Sequence, residues 1–400
     1  MNHRQDIVSD VLVIGGGISG VLAAYWASKK AGTVTLLDAG QSVGGCVNSP
    51  SYNDFWFELG AHTCYNSYTH LLEAVRDANL EKMVMARGKA SFKVLDQGKI
   101  VSIPSKLSFA SLFANLPKLF FTKKDGKTVR EFYSAITGKK NYDTLLTAMF
   151  NAVILQPADD FPADIFLKRR GSRDKSFPKS MSFKGGIQTL LKAFVDASGV
   201  SAHTGVKVVS VDFKDGVYEA KTEDDQVFHA SKLVLATPPS ITAGLVMDCF
   251  PDLAQSLSDI EEFSLKSFGF VVPKEALNWP ELAGAVPLSG PYSSVVLRDV
   301  FPDEKYRSLT VHTKSASVQA EEAKAWLLKN TGLKESDLLF EIEKRHTVPS
   351  LKMGHTDRVN RIDSNLTDSL SVVGNYFYGL SLEDCAQRAK EEVLRLMKGL

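Results

Sequence analysis

Three glycines near the amino terminus have the spacing of a nucleotide-binding turn. Gly15, Gly17 and Gly20 fit the pattern G-x-G-x-x-G, directly after an apolar run at residues 10–14. The first glycine permits a tight turn, the second lets the backbone approach a pyrophosphate, and the third lets a helix pack closely on a strand. Asp38 ends the next apolar run, where a carboxylate can accept hydrogen bonds from ribose hydroxyls. The pattern therefore predicts a dinucleotide site.

Further glycine turns favour FAD over NAD as the cofactor. Gly44 and Gly45 form a turn shortly after Asp38, and Gly60 forms another. NAD domains usually proceed directly to the next crossover, whereas these extra turns suit a longer ligand threaded through the protein. The chain also returns at Gly374, before a helix whose amino end would stabilise negative charge on a reduced flavin.

His62 and Cys46 lie beside these turns, and both have side chains that could take part in a reaction. His62 is a candidate general base for proton removal coupled to hydride loss. The favoured alternative is a ring that packs on the cofactor or backbone, because hydride transfer to flavin often needs no protein base. Cys46 is a candidate for flavin attachment or redox chemistry, but a small residue at a close backbone approach explains it as well. Cys64 and Cys385 are expected to be buried small hydrophobes.

The elements that must position these residues begin with a βαβ unit. Apolar residues predict strands at 10–14 and 34–37, and an alanine- and leucine-rich stretch predicts a helix from Val21 to Lys30. Further helices are predicted at Tyr68–Ala78, Thr128–Tyr133, Tyr142–Leu155, 185–196 and from Leu382, a hairpin at Phe92–Ile103, and strands at Val206–Val211, Val217–Thr222, Lys232–Ala236 and Leu370–Val373. The expected fold class is α/β (α+β overall), with a split Rossmann-like FAD domain and a substrate domain made of a mixed sheet and helices.

The predicted domains are discontinuous. Residues 1–90, 181–245 and 346–400 are expected to form the FAD-binding domain. Residues 91–180 are expected to form a helical insertion that faces substrate or membrane, and 246–345 an antiparallel sheet that covers the flavin. The substrate pocket should be largely apolar, with a few basic residues at its mouth.

Composition excludes several classes of protein. The 400 residues carry a formal net charge of +1, which gives no global electrostatic attraction to nucleic acid. The four cysteines form no CxxC pair, so neither a zinc site nor a disulfide framework is expected. No secretory signal and no apolar run of spanning length is visible, which favours a cytoplasmic protein, with peripheral membrane contact left open.

Two segments leave alternatives open. Residues 106–124 are apolar with lysines at both ends, and Pro117 interrupts their near-helical spacing. This segment is a candidate for contact with a membrane surface or for the lining of an apolar substrate entrance. A core-facing helix pair is an equal alternative. The basic run at 168–175 is a candidate for binding anionic lipid or substrate carboxylates, although such runs are more often solvated loops.

Several motifs in order resemble a known group of flavoproteins. They are GGGISG at 15–20, GGC at 44–46, FELGAH at 57–62, GGIQTL at 185–190, LATPPS at 235–240 and GNYFYGLSLEDC at 374–385. This order resembles the FAD-dependent amine oxidase superfamily. SFGFVVP at 267–273, HTVPSLKMGH at 346–355 and the closing motif resemble protoporphyrinogen oxidases in particular.

The resemblance implies a function and a set of site residues. The function is oxidation of a tetrapyrrole, protoporphyrinogen IX to protoporphyrin IX, by three hydride transfers to flavin, with oxygen as acceptor. The implied cofactor contacts, added to those of the glycine turns, are Val208 at the adenine, Ala236 and Thr237 at a strand end, and Asn375 beside the flavin. The full cofactor-binding set is Gly15, Gly17, Ile18, Ser19, Gly20, Asp38, Ala39, Gly44, Gly45, Cys46, Gly60, Ala61, His62, Val208, Ala236, Thr237, Gly374, Asn375 and Leu382, with His62 and Asn375 as catalytic candidates.

The chain departs from the family's pattern at several positions. Cys46 stands where relatives commonly have an arginine that contacts the cofactor phosphates, and Asp38 replaces the more usual glutamate. Phe92 aligns with an arginine that pairs with a substrate carboxylate in some relatives, for which Lys89 or Lys93 are the nearest substitutes.

Two rival functions remain. One is an amine or polyene oxidase of the same superfamily, for which Tyr376 and Tyr378 would supply aromatic groups near the flavin. The other is a protein that keeps the fold to bind a partner or lipid without redox turnover. The intact glycine turns and the Asp38 carboxylate argue against the second rival.

Overall fold

The computed structural model describes residues 7–398, which contain two large sheets and two small ones. The strands are β1 (Ile7–Ile14), β2 (Val34–Asp38), β3 (Ser51–Tyr52), β4 (Phe55–Trp56), β5 (Cys64–Tyr65), β6 (Val84–Ala86), β7 (Phe92–Asp96), β8 (Lys99–Val101), β9 (Ser180–Phe183), β10 (Ser201–Thr204), β11 (Val208–Lys214), β12 (Val217–Thr222), β13 (Val227–Leu235), β14 (Glu262–Pro273), β15 (Gly284–Pro287), β16 (Tyr292–Leu297), β17 (Tyr306–Thr313), β18 (Phe340–Pro349) and β19 (Leu370–Val372).

The α-helices lie between these strands, and short 3₁₀ turns and one π-helical stretch accompany them. The α-helices are α1 (Ile18–Ser28), α2 (Thr69–Asp77), α3 (Phe109–Asn115), α4 (Val129–Thr137), α5 (Lys139–Asn141), α6 (Thr147–Ile154), α7 (Ile187–Ser198), α8 (Pro239–Val246), α9 (Pro251–Ser258), α10 (Ala320–Thr331), α11 (His355–Ser364) and α12 (Leu382–Leu396). A π-helical stretch, Tyr142–Leu146, joins α5 to α6, and a 3₁₀ turn, Leu116–Phe120, extends α3.

The first large sheet has the strand order β10-β2-β1-β13-β12-β11, and β19 also pairs with β13. Strands β10, β2, β1, β13 and β19 are parallel, whereas β12 and β11 form an antiparallel extension. Strand β13 is long enough for its first half to pair with β12 and its second half with β19. The predicted βαβ unit is confirmed, because β1, α1 and β2 follow each other at the expected positions.

Both faces of this sheet are covered, which explains its continuous apolar strands. Val11 and Val13 face a cluster that includes residues of α1, α7 and α12. Leu12 and Ile14 point to the other face, into a cluster with α8 and α9. The alternation with period two assigns each strand residue to one of the two helical layers.

The second large sheet is mainly antiparallel, with the order β18-β14-β17-β16-β15-β7-β8. Phe268 and Phe270 on one face pack with Leu327 of α10. The other face lies against the segment that follows β4. At Gly269, a Cβ atom would lie 2.5 Å from the Phe57 ring, so only glycine permits this close approach.

Strand pairing departs from the predicted domain boundaries at two places. The predicted helical insertion includes the hairpin β7–β8, whereas β7 pairs in parallel with β15 and so joins the second sheet. The predicted cofactor domain includes residues 346–349, whereas these residues belong to β18, which pairs with β14. Both segments are short, and their assignment depends on partners far away in sequence. No helix within residues 7–398 is long and apolar enough to cross a bilayer.

Candidate functional site

The turn after β1 holds the Asp38 carboxylate in place. The backbone N–H of Gly16 donates to Asp38 Oδ2 at 2.5 Å, and that of Gly40 donates to Asp38 Oδ1 at 2.8 Å. Gly15 has a φ of +108°, and a Cβ atom on it would lie 2.7 Å from the carbonyl oxygen of Ala236. The turn is therefore packed against the end of β13, where Ala236 and Thr237 were predicted to lie near the cofactor.

The second glycine turn packs on the first. Gly44 N–H donates to the carbonyl oxygen of Gly16 at 2.8 Å, and Gly45, with a φ of +59°, lies against Gly17. A Cβ atom on Gly17 would meet nothing within 4 Å, so there is open space in front of the α1 amino terminus at Ile18. Backbone N–H groups at such a terminus attract phosphate. The cradle therefore has the room and the polarity that a pyrophosphate needs.

Gln188 holds the loop around the second turn and was not singled out from the sequence. Its Nε2 donates to the carbonyl oxygen of Val43 at 2.8 Å and to Ser42 Oγ at 3.0 Å. Its Oε1 accepts from the backbone N–H of Ser49 at 3.0 Å. The signal available in the sequence was its place in the GGIQTL motif, where it follows the first residue of α7.

Glu58 connects the same loop to α7. Its Oε1 accepts the backbone N–H of Ile187 at 2.8 Å, and its Oε2 accepts the Ser49 hydroxyl at 2.5 Å. Burial raises the pKa of Glu58 to about 8, against the lowering effect of these hydrogen bonds and of the nearby Arg298 guanidinium. At neutral pH the carboxyl is largely protonated, so it places little charge beside the candidate cofactor site.

Gly60, Cys46 and His62 lie together after this network. A Cβ atom on Gly60 would lie 2.2 Å from the Cys46 carbonyl oxygen, which makes glycine necessary there. Cys46 is exposed, and its Sγ lies 3.8 Å from the carbonyl oxygen of Thr347. His62 Nδ1 lies 3.3 Å from the carbonyl oxygen of Gly60. Burial, and then the charge of Arg87, lower the pKa of His62 to about 4, so its ring is neutral at pH 7.

Arg87 is a second residue that the sequence did not single out. Its Nε is buried and, within residues 7–398, no hydrogen bond or ion pair is formed by its side chain. Burial also lowers its pKa. The ring of Phe92 lies 6.2 Å from that of His62, measured between ring centroids. An unpaired guanidinium, an apolar ring and a neutral imidazole thus share one region, whereas Lys89, proposed from the sequence for a substrate carboxylate, is exposed.

Two buried histidines of the second sheet lie near His62. His312 Nδ1 is 2.7 Å from the Ser267 hydroxyl, in the neighbouring strand β14. His346, on β18, has an Nε2 atom that is buried without a hydrogen-bond partner among the described residues. Burial lowers the pKa of His346 to about 4 and that of His312 well below its usual range, where His346 and His62 lower it further. The rings of these histidines are therefore uncharged at neutral pH.

The carboxyl-terminal return contributes Asn375 and the amino end of α12. Asn375 is half-buried, and its side chain has no hydrogen-bond partner within the described residues, so it is available to a ligand. α12 begins at Leu382, the predicted residue, with a capping box of Ser381 and Asp384. Arg170 donates to Asp384 Oδ1 and to Ser381 Oγ, each at 2.8 Å. That part of the basic run is therefore a structural anchor rather than a solvated loop.

Val206 lies nearer to Asp38 than the predicted adenine contact, Val208. The Val206 N–H donates to the Asp38 carbonyl oxygen at 2.9 Å, and Val208 follows two residues later at the start of β11. Cys64 and Cys385 are buried, as predicted. In the described part of the chain no group of histidine, cysteine and acidic residues is arranged to hold a metal ion.

Comparison with known proteins places the chain among flavoproteins. The "Coproporphyrinogen III oxidase" of Bacillus subtilis is 19% identical, over 96% of this chain and 97% of its own length. The "Probable flavin-containing monoamine oxidase A" of Dictyostelium discoideum is 25% identical, but over 35% of this chain and 32% of its own length. A crystal structure named "Putative protoporphyrinogen oxidase", from Exiguobacterium sp. 255-15, superposes with a TM-score of 0.80 at 17% identity, covering 98% of this chain and 99% of that one.

The family model described as "Flavin containing amine oxidoreductase" matches residues 18–283. This match spans most of the first sheet, the insertion and part of the second sheet, so it includes both glycine turns that follow Asp38. The chain belongs to the flavin-containing amine oxidoreductase family.

Proposed function

We propose that this protein is an FAD-dependent oxidase that converts a porphyrinogen to its porphyrin, with oxygen as electron acceptor. Protoporphyrinogen IX is the first substrate we propose. The observation that carries the proposal is the unpaired Arg87 beside the neutral His62 and the Phe92 ring. A cyclic tetrapyrrole combines a large apolar ring with a few carboxylates, and this region offers the matching groups. The end-to-end similarity to a relative named for a porphyrinogen substrate supports the same class.

The residues present fit FAD. Asp38 is held where it can accept hydrogen bonds from a ribose, and the open space at Gly17 can receive a pyrophosphate. Asn375 and the amino end of α12 would lie at the flavin. Cys46 supplies no cation to the phosphates. Backbone N–H groups and the positive end of the α1 dipole would therefore have to stabilise the phosphate charge. When bound, FAD would supply the acceptor for the hydride that leaves the substrate carbon.

The side chains of this site would bind and orient the substrate rather than act as bases that accept its protons. Because the pKa of His62 is lowered to about 4, its ring is a weak base at pH 7 but a good acceptor for a pyrrole N–H. The proton lost with each hydride would then pass to water. Arg87 would pair with a carboxylate of the substrate, since buried guanidinium groups gain most from such a partner.

An amine substrate is the rival within the family, and the tyrosines argue against it. Tyr376 is buried, and its hydroxyl donates to the carbonyl oxygen of Thr237 at 3.3 Å. The Tyr378 hydroxyl donates to Glu391 at 2.7 Å. Both rings expected for an aromatic cage are thus engaged elsewhere, and a positively charged amine would meet the Arg87 guanidinium.

Anaerobic mixing of the FAD-loaded protein with a porphyrinogen tests the proposal. Flavin absorbance and porphyrin fluorescence would be followed with protoporphyrinogen IX and, separately, with coproporphyrinogen III, against the spontaneous rate. Bleaching of the flavin with accelerated porphyrin fluorescence is the expected result for at least one of the two. A flavin that stays oxidised with both substrates but is bleached by an amine would overturn the substrate class and leave the cofactor assignment intact.

A further inference from the structure

Strand β18 presents a lysine to the interior of the protein. Half-buried and exposed residues alternate along the first part of this strand. Phe340 and Ile342, which are half-buried, pack against the apolar cluster that contains Phe57. Lys344 and His346 lie on the same face of β18, because the strand pairs with β14 without a register shift and side chains alternate between faces. A charged side chain therefore stands in an inward-facing row.

This lysine has no anionic partner. Lys344 is half-buried, and within residues 7–398 its ammonium group forms neither an ion pair nor a hydrogen bond. On the opposite face of the same strand pair, Lys266 is paired with Glu343 at 2.9 Å. Lysine side chains are seldom withdrawn from water unless a negative group accompanies them. The inward position of Lys344 therefore indicates a negatively charged ligand.

The inward face of β18 lies beside the two loops of the candidate cofactor site. A Cβ atom on Gly60 would lie 3.8 Å from Cε1 of His346, and Cys46 Sγ lies 3.8 Å from the carbonyl oxygen of Thr347. Burial, and then the charge of Lys344, lower the pKa of His346 to about 4, so the ammonium group is close to this ring. Lys344 is thus placed next to the loops that contain Cys46 and Gly60.

The same loops lie at the amino terminus of α1, where a cation is missing. Gly45 lies against Gly17, and there is open space in front of Ile18. Cys46 follows Gly45 at the position where the family resemblance predicts an arginine that contacts the cofactor phosphates. Because α1 contains no charged side chain, the helix offers only its backbone N–H groups. A pyrophosphate in this space would need a cation from another element.

We infer that Lys344 binds the pyrophosphate of FAD from β18 and supplies the positive charge that Cys46 does not. A lysine ammonium group on its flexible stem is well suited to pair with a phosphate group as a point charge. The second sheet would then take part in holding the cofactor. This inference rests on the FAD cofactor of the proposed function and is independent of the substrate.

Fluorescence titration of the full-length, flavin-free protein with FAD and with riboflavin tests the inference. K344Q is expected to weaken FAD binding by about 10–100-fold, because a charge-assisted contact is lost. The dissociation constant of riboflavin, which has no phosphate, should stay within about twofold. R345Q is the matched control, since Arg345 is exposed on the opposite face of β18 and forms no ion pair within the described part of the chain. It should leave both dissociation constants unchanged.

A second variant returns a cation from the other loop. K344Q/C46R places an arginine at the position that faces the same space, so it should regain most of the FAD affinity that K344Q loses. A double variant that binds FAD no more tightly than K344Q would contradict the shared role of Lys344 and the missing arginine.

Three further outcomes would overturn the inference. Equal losses of affinity for FAD and riboflavin in K344Q would mean that Lys344 has a structural role. Unchanged FAD affinity with a more negative midpoint potential of the bound flavin would place Lys344 at the flavin ring. Unchanged affinity and potential would remove Lys344 from the site and leave the cofactor proposal intact. If the unmodified protein bound neither flavin, the cofactor proposal itself would fail, and this inference with it.

Discussion

The Asp38 carboxylate accepts the backbone N–H of Gly16 at 2.5 Å, which ties the end of β2 to the turn after β1. Gly40 N–H binds the other carboxylate oxygen at 2.8 Å, so both oxygens have a fixed direction. The carboxylate can therefore meet a ribose without first losing conformational freedom.

Asp38→Asn is expected to weaken FAD binding by about 10–100-fold, because its amide nitrogen cannot replace one of the two carboxylate oxygens that accept the Gly16 and Gly40 N–H groups, and a charged acceptor is lost. The dissociation constant would be measured by flavin fluorescence titration. The control is Asp196→Asn, an exposed acid on α7. An unchanged dissociation constant in Asp38→Asn would show that the carboxylate does not contact the cofactor.

Glu58 should make the stability of the folded protein depend on pH. Its pKa is raised from 4.5 to about 8 in the folded state, so the folded state retains a proton that the unfolded state loses first. The free energy of unfolding should therefore fall as the pH rises from about 4.5 to about 8. Glu58→Gln can keep both hydrogen bonds but does not titrate, so this variant should lose that contribution, at most about 1.4 kcal/mol per pH unit.

Urea unfolding of both proteins at several pH values between 5 and 8.5 would measure this difference in the free energy of unfolding. Its dependence on pH would be compared with that expected for one carboxyl whose pKa differs between the folded and unfolded states. The variant should gain stability relative to the unmodified protein as the pH rises. Parallel stability curves would mean that Glu58 is ionised at neutral pH in the folded protein.

His346 should act in the opposite direction at lower pH. Its pKa is lowered from 6.5 to about 4 by burial, so the folded state binds fewer protons than the unfolded state. Its contribution to stability is present above pH 6.5 and is lost as the pH falls toward 4. In His346→Gln the free energy of unfolding should therefore fall less steeply as the pH decreases from 6.5 to 4, by about the slope that the binding of one proton contributes. Thermal unfolding between pH 4 and 7 would test this, and an unchanged slope would contradict it.

Arg87 should control the binding of substrate carboxylates. Arg87→Gln is expected to raise the KM for a porphyrinogen about 10–100-fold with a small change in kcat, since it removes a charge-assisted pair made in the bound state. The methyl ester of the same porphyrinogen should be insensitive to the substitution. Lys89→Gln is the matched control, because Lys89 is exposed nearby and should leave KM within about twofold. Equal losses for acid and ester would assign Arg87 a structural role.

Much of the candidate cofactor site follows from local pattern. Glycine spacing, the carboxylate at the end of β2 and the start of α12 at Leu382 are each specified within a few residues. Such features are predictable because turns and caps depend on short stretches of backbone. Local pattern predicts the hairpin at β7 but not its pairing with β15, because a strand's partner is set by residues far away in the chain.

The amino-acid sequence by itself determined the class of ligand, the βαβ unit and the order of the glycine turns, since these depend on local backbone geometry. Only the tertiary structure decided which distant side chains meet. It brought Glu58 and Gln188 to one loop, left Arg87 unpaired beside His62, and turned the polar side of α3 inward. Helical spacing alone cannot distinguish a core-facing helix from one whose apolar side faces outward, because that depends on what the rest of the fold packs against it.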